Sequence, residues 1–363
     1  MSDRWGQQYR IHIFGESHGP GIGVVIDGME PGIRWDEDYI QAQLKRRRPG
    51  GALASARNEE DVAQILSGVY NGYTTGTSIM CLIPNRDARR DDYTSGGLRP
   101  SQADYSGQVK YRGFADPSGG GHFSGRLTAG LVLAGAAAEL ALRTHMPYQA
   151  GSHILQIGTV RDARFDFAQC DEEMMQTLHT LSFPVLDPDA GAAMKTVVEE
   201  ARTSGDSVGG CVETAVIGLT PGLGDPFFDS LESRLAQLLF SVPAVKSVSF
   251  GEGEGFAGMK GSAAADPWSI VDGTVRTTSN HNGGLLGGIT TGMPLVFRTT
   301  FKPTPTLGQP MEVLHLDRLW TEIVSFGGRH DPCIVPRGLP VAEACAAIAV
   351  YDAWLEAHGH GYA

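Results

Sequence analysis

Two short polar segments at opposite ends of the chain hold residue types suited to proton transfer beside an anion. They are Gly15-Glu16-Ser17-His18-Gly19 and Gly328-Arg329-His330-Asp331-Pro332-Cys333. A histidine flanked by serine and glutamate, or by arginine and aspartate, is easily tuned to exchange a proton near neutral pH. No Ser–His–Asp triad is assigned, because spacing along a chain carries no geometry. A third segment, Gly119-Gly120-Gly121-His122-Phe123-Ser124-Gly125-Arg126, offers backbone N–H groups ahead of a helix expected to start near Ser124. Anions bind at such places, since the unpaired donors and the helix dipole point at them. The same glycines also suit a tight turn with positive φ.

Cations cluster in three places: Lys45-Arg46-Arg47-Arg48-Pro49-Gly50 with Arg57, Lys302-Pro303-Thr304-Pro305-Thr306, and Arg329 with Arg337 around His330-Asp331. A cationic helix end is commonly a solvated cap. Several of them beside Gly-rich loops, in a chain of net charge −12, point instead to a multiply anionic ligand held by local charge. The overall acidity speaks against nucleic acid. The string Gly253-Glu254-Gly255-Phe256-Ala257-Gly258 has dinucleotide-binding spacing. It is followed by Met259-Lys260-Gly261-Ser262 and Pro267 rather than a helix, and its glutamates repel phosphate, so it reads as a loop. Asn280-His281-Asn282-Gly283-Gly284 is a further polar loop, while His145, His153, His179 and His315 read as structural.

The elements that must position these residues are legible in outline. Asp36 reads as the N-cap of a helix ending at Lys45–Arg47, with acidic residues first and basic residues last. Further helices are expected over Ser124–Arg143, Asp189–Arg202, Asp229–Ser241 and Pro340–His358, the last with Pro340 in its first turn. Strand-like runs are Ile22–Ile26, Ser78–Ile83, Cys211–Ile217, Ser247–Phe250 and Pro294–Phe301. Without regular βαβ alternation or a low-complexity linker, the expectation is a layered α+β fold, one compact domain over residues 1–363. Five scattered cysteines argue for reduced thiols. The polar stretch Met1 to Tyr9 lacks a signal-peptide core, and Leu127 to Leu142 reads as a buried helix, so a cytoplasmic location without a membrane span is expected.

Taken in order, these segments resemble the chorismate synthase family. The resemblance runs from about Gln8 to about Trp354. It includes Gly15-Glu16-Ser17-His18-Gly19, Asp27-Gly28, Arg46-Arg47-Arg48-Pro49-Gly50, Ile65-Leu66-Ser67-Gly68, Thr74-Thr75-Gly76-Thr77, Asp91-Asp92-Tyr93 and Arg99-Pro100. It continues through Gly205-Asp206-Ser207-Val208-Gly209, Pro221-Gly222-Leu223-Gly224, Ser279 to Gly284, Lys302-Pro303-Thr304 and Gly328 to Cys333.

The resemblance implies a layered β-α-β sandwich, a homotetramer, and a 1,4-elimination of phosphate from 5-enolpyruvylshikimate 3-phosphate assisted by reduced FMN. The flavin ends reduced, so the reaction is a lyase reaction in aromatic amino acid biosynthesis. Its reducing equivalents would come from NAD(P)H, through the protein or a separate reductase. By the same resemblance His18 lies near the flavin as an acid, Ser17 and Ser124 give hydrogen bonds, and Asp331 assists proton removal. FMN contacts fall on Arg47, His122, Phe123, Ser124, Gly287, Lys302, Pro303, Thr304, Pro305, Thr306 and Arg329. Arg48, Arg126, Arg337 and His330 fall to the substrate.

Three positions depart from the family pattern. Where the family usually reads Arg-Pro-Gly-His-Ala-Asp, with a second catalytic histidine, this chain reads Arg99-Pro100-Ser101-Gln102-Ala103-Asp104. Gln102 forms hydrogen bonds but is no acid at neutral pH. His122-Phe123-Ser124-Gly125-Arg126 stands where many members have Arg-Ser-Ser-Ala-Arg, and Gly51-Ala52-Leu53-Ala54 lacks an arginine. Gln102 therefore keeps a second reading open, a paralogue that binds FMN or substrate and turns over poorly; a flavin-dependent oxidoreductase is a third, weakened by the lack of a nicotinamide motif.

Overall fold

The structure, a computed structural model, describes residues 3–48, 60–86, 97–316, 319–325 and 331–359. Pro49 to Ala54, Arg57, Asp91 to Tyr93, Gly328, Arg329, His330 and His360 lie outside the described residues. Two five-stranded sheets, each antiparallel throughout, enclose a helical layer. The first runs Arg4–Trp5, Arg10–Gly15, Gly21–Asp27, Ile79–Pro84, Gln64–Ser67. The second runs Val245–Phe250, Leu295–Phe301, Gly210–Ile217, Gln149–Ile157, Val160–Arg161. This is the expected α+β sandwich. The short strands Arg4–Trp5, Gln64–Ser67 and Val160–Arg161 were not among the strand-like runs, nor were the longer Arg10–Gly15 and Gln149–Ile157, where polar residues such as His12 and His153 interrupt the apolar patterns.

The helices Thr128–His145 and Val335–His358 form the middle of the sandwich. Both are long and apolar enough by composition to cross a membrane, and both are buried inside the protein. A helix apolar on every side is what a place between two sheets demands. Small residues let the layers close. Gly130 lies against the backbone of Gly23, and a Cβ at Gly135 would stand 2.4 Å from the Cα of Ala344 on the neighbouring helix.

Local signals set several ends. The Asp36 carboxylate accepts the Tyr39 N–H and starts Glu37–Arg47. Asp187 caps Pro188–Ser204, with Pro188 in its first turn, and Ser230 caps Leu231–Ser241. The last helix begins earlier than expected. Val335 opens it, Pro336 takes the tolerated first turn, and Pro340 lies inside, where its ring forgoes the bond to the Pro336 carbonyl. The Gly253–Gly258 string folds as 3₁₀ turns followed by the four-residue helix Gly261–Ala264, which offers no dinucleotide cradle.

Candidate active site

The strand Arg10–Gly15 delivers the first polar segment. Gly15 turns the chain at φ +101°, where any Cβ would strike the Gly21 carbonyl at 2.4 Å. The following loop docks on the glycine run, with Ser17 N–H donating to Gly121 O at 3.1 Å. Ser17 Oγ donates to Ser118 O at 3.2 Å and lies 2.9 Å from His18 Nδ1. A hydroxyl carries one proton, so Nδ1 is the donor in the His18 contact and Nε2 is the ring's site for proton exchange. Both residues are buried.

Gly119, Gly120 and Gly121 all adopt positive φ, and the reason is packing as well as turning. A Cβ at Gly119 would stand 2.0 Å from Cε1 of His18. His122 then reaches back across the loop: Nδ1 donates to Gly15 O at 2.9 Å, and Nε2 lies 3.2 Å from Asp3. Phe123 packs on Gly107 and Tyr111 and is partly exposed. Ser124 caps the turn Gly125–Leu127 by accepting the Arg126 N–H, and the α-helix proper starts at Thr128.

The cations converge on an aspartate that the sequence reading did not single out. Asp61 is buried between Arg47, at 2.6 Å, and Arg126, which pairs with its other oxygen. Arg126 Nε also donates to Asn85 Oδ1 at 3.1 Å, and Asn85 Nδ2 donates to Glu16 O and Gly19 O. On the far side, Arg337 donates to Arg47 O at 3.2 Å and pairs with Asp331. Asp331 O in turn accepts from Thr304 Oγ1 at 2.7 Å. The two polar segments at the ends of the chain are thus joined by one continuous network. Asp61 and Asn85 carry no motif; a cluster of arginines too tight for solvent screening was the only signal that a buried counter-charge had to exist.

Consecutive arginines on the helix Glu37–Arg47 and its cap point apart, as about 100° per residue requires. Arg46 meets Glu343 on the last helix, Arg47 turns to Asp61, and Arg48 reaches Glu60 O. Burial, then the positive charge of Arg337, lower the Arg47 pKa to about 10 against the pull of Asp61. Its buried Nε has no hydrogen-bond partner among the described residues. Burial by itself would raise the Asp61 carboxyl, yet Arg47 and Arg126 hold it below its ordinary value. The centre therefore carries more positive than negative charge, a fit for phosphate or carboxylate groups.

Lys302 to Thr306 follow the strand Leu295–Phe301. Lys302 Nζ donates to Ser101 O at 2.7 Å, Pro303 packs beside Gly209, and Gln102 Nε2 donates to Thr306 Oγ1 at 3.1 Å. Pro305 lies between the two anchored threonines. Gly287 is the tip of the hairpin Leu285–Leu286 and Ile289–Thr290, with φ +63° and open space beside it. No hydrogen bond among the described residues ties Gly287 to the network. Among the residues read as structural, His153 is fully buried between Asp162 and Glu213, and His145 stacks on Trp354.

Comparison with known proteins agrees across sequence and fold. A family model described as chorismate synthase matches residues 9–355. The chorismate synthase of Aeropyrum pernix is 43% identical over 352 residues, covering 96% of this chain and 92% of its own. That of Thermococcus gammatolerans is 43% identical over 350 residues, covering 96% of each. A solved structure described as a crystal structure of chorismate synthase superposes with a TM-score of 0.78 at 29% identity, covering 98% of this chain and 94% of the other.

Proposed function

The chain belongs to the chorismate synthase family, a family of lyases, and from that membership we infer how its own residues serve the elimination of phosphate from 5-enolpyruvylshikimate 3-phosphate. The observation that carries the reading is the excess of positive charge about Arg47, Arg126 and Arg337, linked on one side to His18 and on the other to Asp331. The substrate brings a phosphate and two carboxylates, and the net charge of the chain is −12, so local guanidinium groups must offset both.

The surroundings also suit a flavin mononucleotide: open space beside Gly125 and Gly287, the Thr306 hydroxyl with its proton still to donate, and the ammonium of Lys302. Reduced FMN, when bound, supplies electron density that a substrate without an acidic C–H lacks. Arg47, His122, Phe123, Ser124, Lys302, Pro303, Thr304, Pro305 and Thr306 would hold it, with Gly287 and Arg329 completing the set. Ser17 fixes Nδ1 of His18 as the nitrogen that keeps its proton, so Nε2 takes up and releases the exchanged one. Asp331 accepts the substrate proton, and Arg337 orients its carboxylate. Arg48, Arg337 and His330 take substrate anions. Arg126, expected at the substrate, pairs with Asp61 and Asn85, a pairing that supports a role in positioning the Gly15–Gly19 loop. The working unit is residues 1–363 as one domain, in a cytoplasmic homotetramer.

Purified protein with photoreduced FMN under anaerobic conditions is expected to convert 5-enolpyruvylshikimate 3-phosphate to chorismate, followed by absorbance. Tight FMN binding without turnover would instead mark a non-catalytic paralogue. In the same assay Gly119→Ala is expected to lower kcat by about a hundredfold, the scale of a misplaced proton donor. The added methyl cannot coexist with the His18 ring as it stands. A Gly119→Ala enzyme with unaltered kcat would remove His18 from the proton inventory.

A further inference from the structure

The segment Lys302 to Thr306 is fastened by a turn whose shape the sequence encodes. Gln102 N–H donates to Arg99 O at 3.2 Å, closing a four-residue turn with Pro100 second and Ser101 third. Ser101 has φ +60°, the left-handed conformation that the third position of a type II turn requires. Side chains other than glycine's rarely adopt it, so something must hold the serine there. The turn is held from behind: Arg99 gives its backbone N–H, Nε and Nη2 to the Asp104 carboxylate at 2.9, 2.9 and 2.7 Å. Leu98 adds a backbone bond to Leu314 O at 2.8 Å.

From this fixed base two groups reach the segment. Ser101 O receives Lys302 Nζ, and Gln102 Nε2 donates to Thr306 Oγ1. Between those two anchors, Thr304 holds Asp331 O through its hydroxyl and accepts Ser207 Oγ at its carbonyl, both at 2.7 Å. The turn thereby sets one stretch of backbone that carries a cation, two hydroxyls and a contact to the proposed proton acceptor.

We propose that Gln102 is a positioning residue, which together with the Ser101–Lys302 contact latches Lys302–Thr306 into its ligand-binding shape through Thr306. The proposal rests on the functional reading above. An amide does not titrate between acid and alkaline pH, so this latch is indifferent to proton concentration. An imidazole at the same place would titrate, and its donor capacity would change with pH.

The test is a double-mutant cycle with Gln102→Ala, Thr306→Val and their combination, each checked for folding by thermal melting. FMN affinity is read by fluorescence quenching with oxidised FMN, and kcat and KM are read anaerobically across pH. Each single variant is expected to weaken FMN binding about threefold to tenfold, the scale of one hydrogen bond. The double variant should lose no more than either single one, and the kcat–pH profile should keep its shape. Gln102→His should retain FMN binding and add a new limb to that profile near the ordinary histidine range. Losses that multiply in the double variant would overturn the latch. So would a Gln102→Ala enzyme with FMN affinity and KM intact but kcat down a hundredfold, since Gln102 would then act in the chemistry. The same cycle run on urea unfolding reads the contact without any ligand, so its result stands apart from whether the wild-type chain turns over substrate.

Discussion

Asp61→Ala is expected to abolish measurable turnover and to cost about 3–5 kcal/mol of stability, the range for stripping one partner from a buried ion pair. Asp61 lies between Arg47 and Arg126 and pairs with both, and neither guanidinium has appreciable access to solvent. Without it, Arg47, Arg126 and Arg337 face one another in a site whose positive charge already depresses Arg47. Inorganic phosphate should therefore raise the melting temperature of the variant more than that of the wild type, because it restores the missing charge. Urea unfolding with and without phosphate measures both effects. A stability within 1 kcal/mol of wild type would overturn the account.

The same pairing fixes a pH dependence. The Asp61 carboxyl is held below its unfolded value, so its contribution is complete above the ordinary carboxylate range, about pH 4. It is lost as the pH falls through the lower, folded value. Acid titration of the wild type should show this loss, and the Asp61→Ala chain should lack it.

A second large effect lies away from the cations. His153→Ala is expected to cost about 3–5 kcal/mol while leaving the KM for substrate unchanged. The ring lies within the second sheet, 2.9 Å from Asp162 and 3.1 Å from Glu213, with all three side chains fully buried. Asp162 also collects the N–H groups of Leu186 and Asp187, so it cannot turn away when the ring is lost. Burial opposes a charged ring, but the hydrogen bonds to both carboxylates prevail and raise its pKa. Its stabilisation is full below the ordinary histidine value, about 6.5, and fades as pH rises through the folded value. Urea unfolding at pH 6 and pH 9 should separate wild type most clearly from variant at the lower pH. A KM shift would mean that this cluster speaks to the site.

Much of the frame was legible because its determinants are local. Asp36 and Ser124 bond N–H groups two or three residues away, so helix starts at them can be read from neighbours alone, while Ser230 caps a helix expected to begin one residue earlier, at Asp229. Ser17, His18 and His122 were legible for a related reason: glycines surround them, and glycines mark places where backbone and side chain must approach closely. Pro340 misled because a nearby proline, Pro336, already filled the tolerated first turn. The strand Gln149–Ile157 was masked by His153, whose burial is permitted only by Asp162 and Glu213 from other segments. Asp61 and Asn85 were illegible for the same reason, since the partners that give them meaning are distant in the chain. Arg329 and His330 lie outside the described residues, so their placement beside Asp331 rests on the motif.

The last helix also has a bearing on how the chain is made. Asp352 accepts the backbone N–H groups of Gln7, Gln8 and Tyr9, and Tyr351 donates to Glu30 beyond the strand Gly21–Asp27. The helix Thr128–His145 covers the buried face of the first sheet, while part of the anchoring of its amino-terminal strands comes from residues made far later in synthesis. At about 5–20 residues per second, that anchor follows the strands by on the order of tens of seconds. Truncation before Asp352 would leave the N–H groups of Gln7, Gln8 and Tyr9 without the carboxylate that collects them.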